Sequence, residues 1–178
     1  MQEDIFDVVD ENDSVIGSKP RSTVHAEGLM HRAIHVLIFN EDDEVFIQKR
    51  SQNKDTWPGA WDSSCSGHVD SGEDYDAAAL RELQEELSWQ PEKELDFLFK
   101  LDPCEATGQE FVKVYQTRGD GPFRLNPEEI DLGEWADVPN LLKRVEYTPY
   151  KFSSAFALIL QRMNDQALLP IKDSPDFQ

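Results

Sequence analysis

Residues 67–89 read GHVDSGEDYDAAALRELQEELSW. The first seven, from Gly67 through His68, Asp70, Ser71 and Gly72 to Glu73, are polar and glycine-punctuated, as a loop would be. The remainder predicts a helix. Ala77, Ala78 and Ala79 are strong helix formers, and Leu80, Leu83 and Leu87 recur at a spacing that puts them on one face, where they should pack the helix down. Asp74 and Asp76 stand where a helix N-terminus favours negative charge. Glu82, Glu85 and Glu86 then fall at i, i+3 and i+4, so their carboxylates share a face and repel by about 0.2–0.5 kcal/mol per pair. A divalent cation held through carboxylate oxygens reverses that repulsion, and hard ions such as Mg²⁺ favour such ligands. The competing reading of the cluster alone is a solvated acidic face.

The chain has 178 residues, enough for one domain spanning 1–178 with a core of its own. Asp and Glu number 36 against 17 Lys and Arg, a formal net charge of -19. Such a surface repels nucleic-acid backbones and anionic membranes, so neither is an expected partner. It also repels a free phosphorylated metabolite unless cations or local Lys and Arg residues receive it. No apolar run approaches the ~18 residues of a membrane span, and the acidic first residues lack the apolar core of a signal peptide. Cys65 and Cys104 make neither a disulfide framework nor a metal-ligand spacing. A cytoplasmic location is the default expectation, and a homodimer is compatible with the sequence.

Outward from the central stretch, 5–9 and 15–19 predict a hairpin around Glu11, Asn12 and Asp13, followed by a connector over 21–28. Strands are expected at 33–40 and 45–49, then a loop over 51–62 that carries Lys54, Trp57, Pro58, Gly59 and Trp61. Beyond the helix, strands are expected at 95–101, 111–118 and 130–138, the last with Trp135 buried. Helices are expected at 140–145 and 150–163, the second with Phe152, Phe156, Ile159, Leu160 and Met163 on one stripe. The tail from 165 to 178 is polar with proline and is expected to fray. There is no repeat, low-complexity segment or linker. Periodicity alone gives a mixture of α and β.

Gly67, five residues, Glu73, seven residues, then Arg81-Glu82-Leu83-Gln84-Glu85-Glu86 resembles the Nudix box, G-x5-E-x7-R-E-U-x-E-E-x-G-U with U apolar. Every charged position is present. The last glycine is Ser88 here and the final aliphatic position is Trp89, which leaves the end of the helix open. The resemblance implies an α/β/α sandwich around a central mixed β-sheet. It also implies metal-dependent hydrolysis of a nucleoside diphosphate linked to another group. On that reading Glu82, Glu85 and Glu86 are ligands for Mg²⁺ or Mn²⁺, with the Gly67 carbonyl and Glu110 completing the set. Glu85 or Glu86 acts on the attacking water, and Arg81 pairs with Glu73 to hold the loop against the helix. A base outside the box is common in the family; Glu110, Glu128 and Glu129 are candidates, and Glu110 has the best case because it opens a strand. Lys49, Arg50 and Lys54 are the densest basic group ahead of the box, and are expected to receive the substrate diphosphate.

Most of residues 5–160 is also similar to the isopentenyl diphosphate isomerase branch of that family, including WPGAW, SGH and TPYKFS. An isomerase on this scaffold needs a thiol just before the Gly-His pair and an aromatic ring after the late serine. Those positions are Ser66 and Ala155, with Cys65 one residue early, and the branch's extra acidic ligand is Gly108. His31, His68 and Glu110 do match that branch's metal-site pattern, but isolated histidines are more often satisfied structural groups, so no second metal site is assigned from the sequence. Three function classes therefore stand at this point: a hydrolase, favoured by the complete glutamate set; an isomerase; and a nucleotide-binding module without turnover.

Overall fold

The computed structural model describes residues 3–170. Two strands, β1 (Ile5–Val9) and β2 (Val15–Pro20), form the expected hairpin as a separate two-stranded sheet. The segment expected as a connector is a short helix, α1 (Arg21–Glu27), closed by Gly28 in the left-handed region at φ 62°. Val24 is its one buried residue, so it offers no apolar period from which to read a helix.

The main sheet contains β3 (His31–Phe39), β4 (Val45–Arg50), β5 (Trp61–Asp62), β6 (Cys65–His68), β7 (Asp96–Leu101), β8 (Glu110–Arg118) and β9 (Ile130–Ala136). Its spine runs β5-β4-β3-β8-β7, with β6 pairing β3 and β9 pairing β4. The β3–β8 pair is parallel, matching His31 with Glu110, and the other pairs are antiparallel, so the sheet is mixed. Strand β6 was not expected. Its CSGH sequence has no strand-forming signal, and it forms because β3 offers it an edge, matching Ala33 to His68 and Val36 to Cys65.

Alternation along β3 sends Ile34, Val36 and Ile38 to one side of the sheet and Ala33, Leu37 and Phe39 to the other. Helix α2 (Tyr75–Leu87) covers the first side through Ala78, Ala79, Leu83 and Leu87. Leu80 corrects the expectation of a leucine stripe: it is 45% exposed. The small Ala78 and Ala79 seat the helix on the sheet, and the next residue round the helix faces water. Helices α3 (Val138–Tyr147) and α4 (Ser154–Asp165) cover the second side, giving the expected α/β/α layers. All five apolar residues of the expected late stripe are buried, but the helix begins at Ser154. Phe152 instead bridges to Trp61, and the Ser153 N–H donates to the Trp61 carbonyl at 2.9 Å, which holds that backbone extended. Trp135 is only partly buried, at the rim beside Phe46 and Phe123. Of the tail expected to fray, α4 continues to Asp165 and Leu169 packs into the core, while 171–178 lies outside the described residues.

The helix end left open by Ser88 closes as a glycine would close it. Ser88 takes φ 48°, its N–H donates to Gln84, and the Trp89 N–H donates to Leu83. Trp89 then packs edge-on against Phe123. The turn of the N-terminal hairpin is tied down by Asp13. Its carboxylate accepts from Arg32 at 2.6 Å, Tyr75 at 2.9 Å and Lys100 at 3.0 Å.

Candidate active site

Helix α2 presents its glutamates in graded depth. Glu86 is 4% exposed, whereas the Glu82 and Glu85 side chains are 14% and 57% exposed. Arg81 organises the same end of the cavity. Its guanidinium donates to both Glu73 oxygens at 3.0 and 2.9 Å, to Glu82 at 2.8 Å, to Glu85 at 3.2 Å and to the His68 carbonyl at 2.9 Å. Five contacts from one planar fork fix the loop 67–73 to the helix, as expected of the Arg81–Glu73 pair.

Glu86 accepts from Gln48 Nε2 at 2.9 Å and from the Ser66 N–H at 3.3 Å. Burial, with the Glu86 charge beside it, raises the Glu82 carboxyl above its ordinary range. Burial likewise raises Glu86, and the charge of Glu129 adds to it. Gly67, on β6, lies so close to Glu82 that a Cβ would stand 2.0 Å from its carboxyl carbon. The donor set fits a divalent cation: a buried and a half-buried carboxylate held apart from their ordinary acidity, a third beside them, and a glycine backbone pressed against Glu82.

On the far wall Glu110 accepts from His68 Nε2 at 3.1 Å, and His31 Nε2 lies 3.3 Å from the same oxygen. Burial works against the Glu110 charge, but these two imidazoles outweigh it and hold the carboxyl far below its usual range. His31 Nδ1 is 2.8 Å from the Leu29 carbonyl, to which it donates. Apart from its approach to Glu110, His31 Nε2 is buried without a hydrogen-bond partner, and so is His25 Nε2. The ligand atoms of His25, His31 and His68 all lie within 4.8 Å of one another, with Phe6 stacked on His68 at 4.6 Å. His25 and His31 are therefore not fully satisfied structural groups, whereas His68 is paired with Glu110. The three imidazoles, with the Glu110 carboxylate beside His31 and His68, could hold a cation. His25 was missed because it rides on the unrecognised helix α1, where nothing in its neighbourhood of sequence marks it.

Both walls line one cavity of about 440 Å³. Arg50 and Lys54 enter it, each already paired: Arg50 with Asp62 at 3.2 Å, Lys54 in close contact with Glu129. Of the acids considered as bases outside the box, Glu110 and Glu129 line the cavity, and Glu128 is exposed outside it. Lys49 departs from the expected basic group. Gln48, its neighbour on β4, points to Glu86, so alternation turns Lys49 to the opposite face, where it lines a different cavity. Ser66 and Ala155 line the main cavity, while Cys65 is fully buried beside Glu86 and burial pushes its thiol well above its usual value.

The NUDIX domain family model matches residues 29–156. Isopentenyl-diphosphate Delta-isomerase of Serratia proteamaculans strain 568 is 34% identical over 157 residues, covering 86% of this chain and 88% of its own. A Nudix hydrolase of Yersinia pestis, described as uncharacterized, is 36% identical over 164 residues, covering 90% of this chain and 87% of its own. The crystal structure of DR0079 from Deinococcus radiodurans superposes with a TM-score of 0.77 at 30% identity, covering 89% of this chain and 98% of that one. With the box residues gathered on α2 and β6, and the family pattern running through the whole central sheet, this chain belongs to the Nudix domain family.

Proposed function

We propose that this chain is a Nudix-type hydrolase, dependent on Mg²⁺ or Mn²⁺, that cleaves the diphosphate linkage of a nucleoside diphosphate joined to another group. Its substrate is a small phosphorylated metabolite and its proposed setting the cytoplasm. Separately, no described helix is long and apolar enough to cross a membrane. The observation that carries the reading is the pair of carboxylates, buried Glu86 and half-buried Glu82, beside the glycine-only contact at Gly67. A cation bound between them relieves a repulsion that the metal-free chain otherwise meets by holding protons.

Glu82, Glu85, Glu86 and the Gly67 carbonyl would hold the ion. When bound, it neutralises the diphosphate and makes water more acidic. Glu85 or Glu86 accepts the proton of the attacking water on a carboxylate oxygen, and the attack runs in line with the leaving phosphate. Arg81 keeps the glutamates aimed, as Gln48 does for Glu86. Arg50 and Lys54 receive phosphate oxygens, which displace Asp62 and Glu129 from them; Glu129 is thereby released into the cavity as a further acceptor of protons. The test is hydrolysis in ¹⁸O-water across nucleoside diphosphate derivatives, followed by ³¹P NMR. Cleavage should stop in EDTA, return with Mg²⁺, and put the label on a phosphate. Full turnover in excess EDTA would sink the reading.

The His25, His31, His68 and Glu110 group favours a second reading, an isopentenyl diphosphate isomerase, and relatives of that name support it. Against it, the cavity offers Ser66 where a thiol acid is needed, and Cys65 is sealed beneath it. Incubation of isopentenyl diphosphate in D₂O decides: deuterium uptake into the allylic product supports the isomerase, and unchanged substrate removes it.

A further inference from the structure

On the other face of β4 lies a second cavity, of about 420 Å³, with walls of unusual composition for so acidic a chain. Lys49 and Trp61 stand opposite each other in the β4–β5 ladder, so their side chains share a face. The bridge between Trp61 and Phe152 brings up the adjoining Tyr150 and Lys151. Trp57 closes the rim, and Trp57 and Tyr150 leave 45% and 74% of their surfaces in water. Trp57 also takes φ 50°, a left-handed conformation uncommon outside glycine, so the loop displays this ring against its local preference.

The charges differ from those of the first cavity in one respect. There Arg21, Arg50, Lys54 and Arg81 each pair with a carboxylate. Among the described residues, Lys49 and Lys151 have no acidic partner within ion-pair distance, although acids outnumber bases by 36 to 17 in the chain. Two ammonium groups left free beside exposed aromatic rings match a ligand that is both planar and anionic. A lipid chain would have no use for the lysines, and inorganic phosphate none for the rings.

We infer that this cavity is a nucleotide subsite, in which Trp57 and Tyr150 stack a nucleobase while Lys49 and Lys151 hold an attached phosphate. Trp57 lines both cavities, so a substrate whose diphosphate lies at Glu82 and Glu86 reaches this pocket by passing over that ring. The assignment of the pocket to the substrate rests on the hydrolase reading above; the pocket's ligand chemistry does not.

Binding in EDTA separates the two, because it silences the carboxylate end. The probes are AMP, GMP, CMP and UMP, titrated by calorimetry and by tryptophan fluorescence. At least one should bind and quench, with the corresponding nucleoside, which lacks phosphate, at least tenfold weaker. Lys49→Ala with Lys151→Ala should weaken that nucleotide at least tenfold, as should Lys151→Glu alone at its exposed position. Lys93→Ala, an exposed lysine elsewhere, should change nothing. The inference is overturned if none of the four binds, or if the double lysine variant binds as the parent does. Metal-dependent hydrolysis measured on the same proteins keeps the outcomes apart. Nucleotide binding without any hydrolysis would refute the hydrolase and uphold the pocket; hydrolysis with unchanged KM in the double variant would uphold the hydrolase and overturn the assignment of the pocket to its substrate.

Discussion

Glu86 carries its charge to a depth where water does not compensate it, and the sign of the result can be followed. Burial raises Glu82 and Glu86 above the ordinary 4.5, so the folded chain holds protons that the unfolded chain has released. Their contribution to stability is complete below that ordinary value and is lost as pH rises through neutrality. Denaturant unfolding of metal-free protein at a series of pH values should therefore show stability falling across that window, and added Mg²⁺ should restore it by binding only the folded state. Glu86→Gln should flatten the metal-free profile, blunt the Mg²⁺ effect and reduce turnover about 10²–10⁴-fold. Glu92→Gln, exposed beyond the helix, should leave all three unchanged. Gly67→Ala tests the neighbouring contact: its methyl must push Glu82 aside, at a cost of about 1–3 kcal/mol in denaturant unfolding, together with loss of Mg²⁺-induced stabilisation. The box residues were legible because a helix fixes the relative directions of side chains three and four apart. Lys49 was misgrouped because neighbours along a strand point to opposite faces, and three basic residues close in sequence need not be close in space.

Two elements hold together through single residues that break or fulfil a local rule. Ser88 ends α2 in a conformation that glycine adopts without strain, so Ser88→Gly should stabilise the chain by about 1 kcal/mol, read as a higher melting temperature. Asp13 fastens the β1–β2 turn to β3, β7 and the start of α2. Burial raises its carboxyl, but the hydrogen bonds from Arg32, Lys100 and Tyr75 outweigh that and leave it below the ordinary 3.8. The stability it confers is present above that value and is lost as pH falls further. Asp13→Asn keeps the size and tolerates the same left-handed backbone, so it removes little besides charge; it should lower the unfolding free energy by about 1.5–3 kcal/mol at neutral pH, with the difference from the parent shrinking in acid. Long elements with an apolar period were readable from sequence. Helix α1 and strand β6 were not, since one turns a single residue inward and the other exists only because a neighbour lends it an edge.

Across the whole molecule the net charge of -19 works against compactness. Salt screens that repulsion over roughly 8–10 Å at physiological strength. Unfolding free energy should therefore climb between low salt and about 0.15 M NaCl, and an equal osmolality of sucrose should not reproduce the rise at so low a concentration; a fall with NaCl would mean that the ion pairs dominate. The layered architecture followed from the family pattern, whereas the convergence of His25, His31, His68 and Glu110 depended on long-range pairing that no local spacing encodes. That pairing also dictates an order of events. His31 meets Glu110 only when parallel strands β3 and β8 align, and four strands and helix α2 lie between them in the chain. Closing so long a loop is entropically slow, so the histidine wall is assembled late in folding, after the local helix has supplied its glutamates. A cation gripping both walls would then find little to hold in the folding transition state. It should leave the refolding rate nearly unchanged and retard unfolding, acting as a clasp fastened after the garment is on.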